Sequence, residues 1–152
     1  MKKPRIISFG EVLWDLFPDG GRFGGAPANF ACHAALQGAE VTICTAVGDD
    51  SYGDDAIRIL SEYDIDVSLV QTVATAPTGT ASVNLDDEGK PSFLFQDNSA
   101  WAQLQWTDDI ATKILSADAI CFGTLGQRSE MARQTTQRAL EVAGRAKIPR
   151  VV

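Results

Sequence analysis

Residues 20–29 read Gly-Gly-Arg-Phe-Gly-Gly-Ala-Pro-Ala-Asn, four glycines followed by a proline and an asparagine directly ahead of an alanine-rich stretch. Glycines let a backbone come close to a ligand, and the free N–H groups at a helix start favour oxygen-rich groups. Asp15 and Asn29 flank this loop. A carboxylate accepts two hydroxyl hydrogen bonds and an amide both donates and accepts, so a pair facing one another across the loop suits a polyol. Two readings of the residues fit. The loop is either a cradle for a small polar ligand or an ordinary flexible connection, with Asp15 a solvated acid. The GxxxxGK[ST] spacing with its lysine is absent, as is GxGxxG, so nothing marks this loop for a nucleotide.

The elements that must hold these residues alternate between strand and helix. Arg5 to Phe9 is a short β-branched run, and Gly10 opens a segment that continues to Phe17, together read as a buried first strand with Asp15 at its end. Residues 18–27 are turn-forming throughout. Pro27 opens a helix to Gln37, closed by Gly38. A strand over Glu40 to Val47 follows, then a helix over Tyr52 to Tyr63 that Ser51 and Asp54 open as a capping box. Asp66 to Val73 is another strand. Thr78 to Leu85 and Pro91 to Gln96 then break the alternation as a hairpin around Asp-Asp-Glu-Gly. Thr107 caps a helix to Leu115, Ala117 to Phe122 is a strand, and Ser129 to Ala146 is the longest helix, with Met131, Ala139, Leu140 and Val142 as its apolar positions. This order predicts an α/β fold, a mostly parallel sheet covered by helices on both faces. The closing Ile-Pro-Arg-Val-Val begins one more strand, which reads as an N-terminal piece of something longer.

Composition narrows the function classes. With 45% apolar and 22% charged residues the chain can bury one core, and its net charge of -7 argues against a nucleic-acid or anionic-membrane partner. No run approaches the roughly 20 apolar residues of a membrane span. Cys32, Cys44 and Cys121 are far apart among apolar neighbours, which predicts buried free thiols and a cytoplasmic protein. A single histidine, His33, sits inside a predicted helix and is read as a packing or surface residue, and no Cys/His cluster offers a metal site. Trp101 and Trp106 read as packing residues and Asp86-Asp87-Glu88 as a solvated hairpin tip.

The segment GGAPANFACHAALQGAEVTICTAVGDDSYGDDAIRIL, residues 24–60, resembles the first signature of PfkB-type carbohydrate kinases, the ribokinase-like family. Paired glycines, an asparagine four residues on, an alanine-rich helix and a G-D-D-x-x-G turn agree at once. Preceded by FGEVLWDLFP, the segment is most similar to the fructokinase branch. The resemblance implies that residues 1–152 are the N-terminal part of one ribokinase-like domain, with residues 78–96 a β-lid hairpin inserted within it. It implies sugar hydroxyl binding by Asp15 and Asn29, close backbone approach at Gly24 and Gly25, and lid contacts from Phe95 and Gln96. Gly48, Asp49 and Gly53 match the signature as turn and capping residues. Lids of this kind pair between subunits in related kinases, which implies a homodimer.

One departure concerns the lid. Many fructokinase-like members carry a tyrosine-arginine pair where this chain has Phe95-Gln96, followed here by Asn98-Ser99-Ala100-Trp101, so the charged contact expected for an acidic sugar is missing from that strand. The resemblance also implies ATP and Mg²⁺ for the complete enzyme. The family's catalytic base, an aspartate in a G-A-G-D motif, and its anion hole are expected downstream of Val152, leaving no catalytic residue in this chain. The expected function is therefore ATP-dependent phosphorylation of a sugar hydroxyl, with this chain supplying the sugar-binding half and inactive alone. The alternative is a non-catalytic sugar-binding or dimerisation module of the same fold.

Overall fold

The computed structural model describes residues 2–152. Its main sheet is built from β1 (Arg5–Phe9), β4 (Glu40–Gly48), β5 (Asp66–Val73), β8 (Ala119–Phe122) and β9 (Arg150–Val151), in the order β5-β4-β1-β8-β9 with every neighbour parallel. The sequence of β4 shows why this sheet is buried on both sides. Val41, Ile43 and Val47 join Ala28, Ala31, Ala56 and Leu60 in one core, beneath α1 (Ala26–Leu36) and α2 (Ser51–Glu62). Cys44 and Ala46 point the other way, into a second core with Ile110, Ile114, Ala139 and Ala143 of α3 (Asp108–Ser116) and α4 (Glu130–Arg145). Successive strand residues alternate faces, so an almost continuously apolar strand feeds two cores.

A second, four-stranded sheet holds β2 (Leu13–Phe17), β3 (Gly20–Gly24), β6 (Gly79–Leu85) and β7 (Pro91–Phe95) in the order β3-β2-β6-β7. β2 pairs antiparallel with β3 and parallel with β6, and β6 pairs antiparallel with β7. The start of α2 anchors this sheet to the main body at two points. Trp14 donates its indole N–H to the Tyr52 carbonyl at 3.0 Å and stacks on the Tyr52 ring at 5.0 Å. Asp50 accepts from the backbone N–H of Thr78 at 2.8 Å and from its hydroxyl at 2.6 Å, at the root of β6.

Several local expectations need correction. The run from Arg5 to Phe17 is two strands in two sheets, because the chain turns at Gly10 (φ 143°). Residues 18–27 are not turn throughout, since Gly20–Gly24 pairs residue for residue with β2. Their composition hides a strand whose order comes from its partner rather than from propensity. The cap of α2 is Asp50, which accepts from Gly53 N–H at 2.8 Å, while Ser51 is already helical, so no Ser51–Asp54 box forms. Thr107 occupies the N-cap position of α3 without a side-chain cap bond. Met131 is exposed, and the buried face of α4 is Ala132, Thr135, Thr136, Ala139 and Ala143. Cys32 and Cys44 are buried free thiols, but Cys121 is only half-buried.

Candidate functional site

The register of the second sheet assembles the site wall. Asp15 lies opposite Ala81, and Ala81 opposite Phe95, so one row across β2, β6 and β7 carries Asp15 and Phe95 on a common face. Leu13 and Phe93, two residues away on their own strands, share that face. All four line a cavity of about 370 Å³. Its other wall comes from the main body: Glu11 after β1, Gly25, Ala26 and Asn29 at the start of α1, and Thr124 and Leu125 after β8. The cavity thus sits at the C-terminal ends of β1 and β8, where open parallel sheets bind ligands.

Two glycines make the geometry. Gly25 adopts φ 102°, and a Cβ there would stand 2.6 Å from the Glu11 carbonyl, so the loop passes directly beneath the end of β1. A Cβ on Gly24 would stand 2.5 Å from Asp15 Oδ2, which places the Asp15 carboxylate flat against the Gly24 backbone. The helix start that follows contributes Asn29 one turn in, its own N–H bonded to the Gly25 carbonyl at 2.9 Å.

Of the six sugar-contact residues expected from sequence, Asp15, Gly25, Asn29 and Phe95 line this cavity, and Gly24 backs it against Asp15. Gln96 does not line it. Its side chain accepts from the Thr80 hydroxyl at 3.1 Å, and it borders a neighbouring groove of about 350 Å³. Glu11, which the sequence reading gave no role, joins Asp15 and Asn29 in the cavity wall. Glu11 is 3% exposed, accepts from the Ala26 N–H at 3.3 Å through Oε1, and has no hydrogen-bond partner at Oε2 among the described residues. A charged residue directly after a strand-ending glycine was the available signal.

Burial pushes the Glu11 carboxyl above the ordinary carboxylate range, the effect outweighing the backbone N–H groups of Glu11 and Ala26. Burial raises Asp15 as well. Two carboxyls, an amide and apolar rings make a donor-accepting, mildly acidic cavity. That set suits hydroxyl groups and repels a triphosphate. Among the described residues there is no group of three or more side chains able to hold a metal ion, and no helix is long and apolar enough to cross a membrane.

Comparison with known proteins decides the family. The sequence model described as pfkB family carbohydrate kinase matches residues 20–152. The chain belongs to this family. It is 31% identical over 147 residues to a fructokinase of Klebsiella pneumoniae, covering 93% of this chain and 48% of that protein. It is 29% identical over 157 residues to probable fructokinase-2 of Arabidopsis thaliana, covering 95% and 48%. Among solved structures, fructokinase with bound ATP from Xylella fastidiosa superposes with a TM-score of 0.83 at 26% identity, over 95% of this chain and 47% of that one. The chain spans about half the length of the curated relatives it matches. The fold is accordingly the ribokinase-like α/β sheet, carrying a small second sheet.

Proposed function

We propose that this chain supplies the sugar-binding side of an ATP-dependent, fructokinase-like carbohydrate kinase. The observation that carries the proposal is the single cavity shared by Asp15, Gly25 and Asn29 at the C-terminal end of the parallel sheet. In this reading the Asp15 carboxylate and the Asn29 amide bind sugar hydroxyls, the Gly24–Gly25 backbone lets the ring lie close to the loop, and Phe95 closes one side. The second sheet is the lid, and its covering of the sugar excludes water and orients the acceptor hydroxyl. ATP, with Mg²⁺, provides the transferred phosphoryl group. No residue of this chain is assigned to either, and the base belongs to the G-A-G-D motif expected beyond Val152. Apolar side chains exposed on β6 and β7, Leu85, Phe93 and Leu94, support lid-to-lid pairing into a homodimer. Free thiols at Cys32, Cys44 and Cys121 accord with a cytoplasmic location.

The test is titration calorimetry of the 152-residue chain with fructose and a panel of neutral sugars, beside a coupled ADP-release assay on the chain and on the longest product of its gene. Sugar binding by the chain, lost in Asp15→Ala, with turnover confined to the longer product, is the expected result. Turnover by the chain itself at a comparable rate sinks the division of labour. Sugar binding without any turnover in the longer product favours a non-catalytic binding module.

A further inference from the structure

Helix α1 opens without a cap of its own. Its N-cap is Gly25, which has no side chain, and its first turn holds no acidic residue. The missing acceptor comes from Glu11, just after β1, whose Oε1 takes the Ala26 N–H at 3.3 Å. Capping needs only one oxygen. The other, Oε2, has no hydrogen-bond partner among the described residues, although Glu11 is buried. A buried polar atom without a partner carries a desolvation penalty, and native structures keep few such atoms. The backbone is cleared around this one. A Cβ on Gly123 would stand 3.1 Å from Glu11 Oε2 and 2.8 Å from Pro27 Cγ, so a side chain there would press on both. Glu11 and Thr124, the residue after Gly123, line the cavity of Asp15 and Asn29. Among the described residues no lysine or arginine lines that cavity, so no cation of its wall competes for Oε2.

We propose that Glu11 is a specificity-determining sugar contact: its free Oε2 pairs with a second hydroxyl of the sugar, different from the one held by Asp15. The inference rests on the sugar-kinase reading and adds to it a residue and a requirement on the substrate, which must present two hydroxyls to the cavity at once. A hydroxyl both donates and accepts, so it satisfies a carboxylate oxygen as a donor and a protonated carboxyl as an acceptor. The raised pKa that burial gives Glu11 therefore leaves the pairing intact in either form. A site built to hydrogen-bond a substrate hydroxyl rejects the analogue that lacks it, because the buried protein group is then left unpaired. One carboxyl thus acts on both sides of the site. Oε1 fixes the start of the helix that carries Asn29, and Oε2 reads the sugar that Asn29 helps to hold.

The experiment is calorimetric titration of the 152-residue chain with fructose and with a set of deoxyfructoses, each lacking one hydroxyl, in wild type, Glu11→Gln, Glu11→Met and Asp15→Ala. The readout is the ratio of fructose affinity to the affinity of each analogue. In wild type we expect a ratio of about tenfold or more for at least two hydroxyls. Glu11→Met should bring one of these ratios toward one, and Glu11→Gln, which keeps an oxygen for the Ala26 N–H and puts an amide N–H in place of Oε2, should lower the same ratio in part. Asp15→Ala should collapse a different one. If Glu11 only caps α1, Glu11→Met weakens all ligands together, Glu11→Gln weakens none, and every ratio stays, which overturns the proposal. Collapse of the same ratio in the Glu11 and Asp15 variants overturns it too. Failure of the underlying reading looks different: no sugar binds wild type, or Asp15→Ala leaves every affinity unchanged.

Discussion

Replacing Asp50 by alanine tests how the second sheet is held over the cavity. The carboxylate accepts three hydrogen bonds, from Gly53 N–H at 2.8 Å, Thr78 N–H at 2.8 Å and the Thr78 hydroxyl at 2.6 Å. Loss of the helix cap costs about 1 kcal/mol. Thr78 is 1% exposed, so its N–H is stranded without water, at a further cost of about 1–3 kcal/mol. We expect Asp50→Ala to lose about 2–4 kcal/mol in urea unfolding, and the melting temperature to fall by roughly 5–15 °C for a chain of this size. Thr78→Val should couple to it in a double-mutant cycle by about 1 kcal/mol or more, because both remove one network. The pH dependence has a definite sign. Burial pushes the Asp50 pKa up, but the bonds from Thr78 and Gly53, with the Tyr52 backbone N–H nearby, outweigh it and hold the carboxyl below its ordinary value. Its contribution is therefore present above the unfolded carboxylate pKa and disappears as pH falls through the lowered folded value, so Asp50→Ala removes part of the acid lability of the wild type. A loss under about 0.5 kcal/mol, or strict additivity with Thr78→Val, would refute the anchoring argument.

Three further predictions concern the cavity floor. Gly25→Ala forces a side chain into φ 102° with its Cβ 2.6 Å from the Glu11 carbonyl, and should lower stability by about 1–3 kcal/mol in the same unfolding assay. Gly24→Ala presses on the Asp15 carboxylate instead, so it should weaken sugar binding by calorimetry more than it lowers the melting temperature. Glu11, its pKa raised by burial, binds its proton more tightly folded than unfolded, so its contribution is lost as pH rises through the raised value. Glu11→Gln keeps an acceptor for Ala26 N–H and carries no charge, and its unfolding midpoint should fall less than that of wild type as pH rises above the ordinary glutamate value.

The main sheet was legible because its determinants are local. Most strands of the sheet are short β-branched or apolar runs, α2, α3 and α4 each carry their own period, and the order alone selects a parallel sheet with two helical layers. The second sheet was only half legible. The hairpin of β6 and β7 announces itself through Asp-Asp-Glu-Gly between apolar runs, whereas β2 and β3 belong to a strand pair joined at Pro18 and Asp19 whose second member is more than half glycine. Gly20–Gly24 has no strand propensity to read. It is ordered by the main-chain bonds of β2, and β2 is in turn ordered by β6, more than sixty residues away along the chain. A cap one residue from its expected place, at Asp50 instead of Ser51, was missed for a similar reason: Asp50 is selected by Thr78 as much as by the helix it opens.

The candidate site divides along the same line. Asp15 and Asn29 could be paired from sequence because they flank one loop, and proximity along the chain stood in for proximity in space. Phe95 came only through a family resemblance, because what brings it to Asp15 is register. Asp15, Ala81 and Phe95 form one row, and the ring of Phe95 then meets the segment after β8. Side chains alternate faces along a strand, so a slip of a single residue between β2 and β6 would turn Asp15 out of the cavity and bring Trp14 in. What fixes that register is the opposite face of the same strand, where Trp14 stacks on Tyr52 and lies opposite Phe23, its indole N–H bonded to the Tyr52 carbonyl. The residues proposed to bind sugar are therefore placed by residues that do not line the cavity, and Trp14→Ala should weaken sugar binding in calorimetry even though its own ring faces away from it.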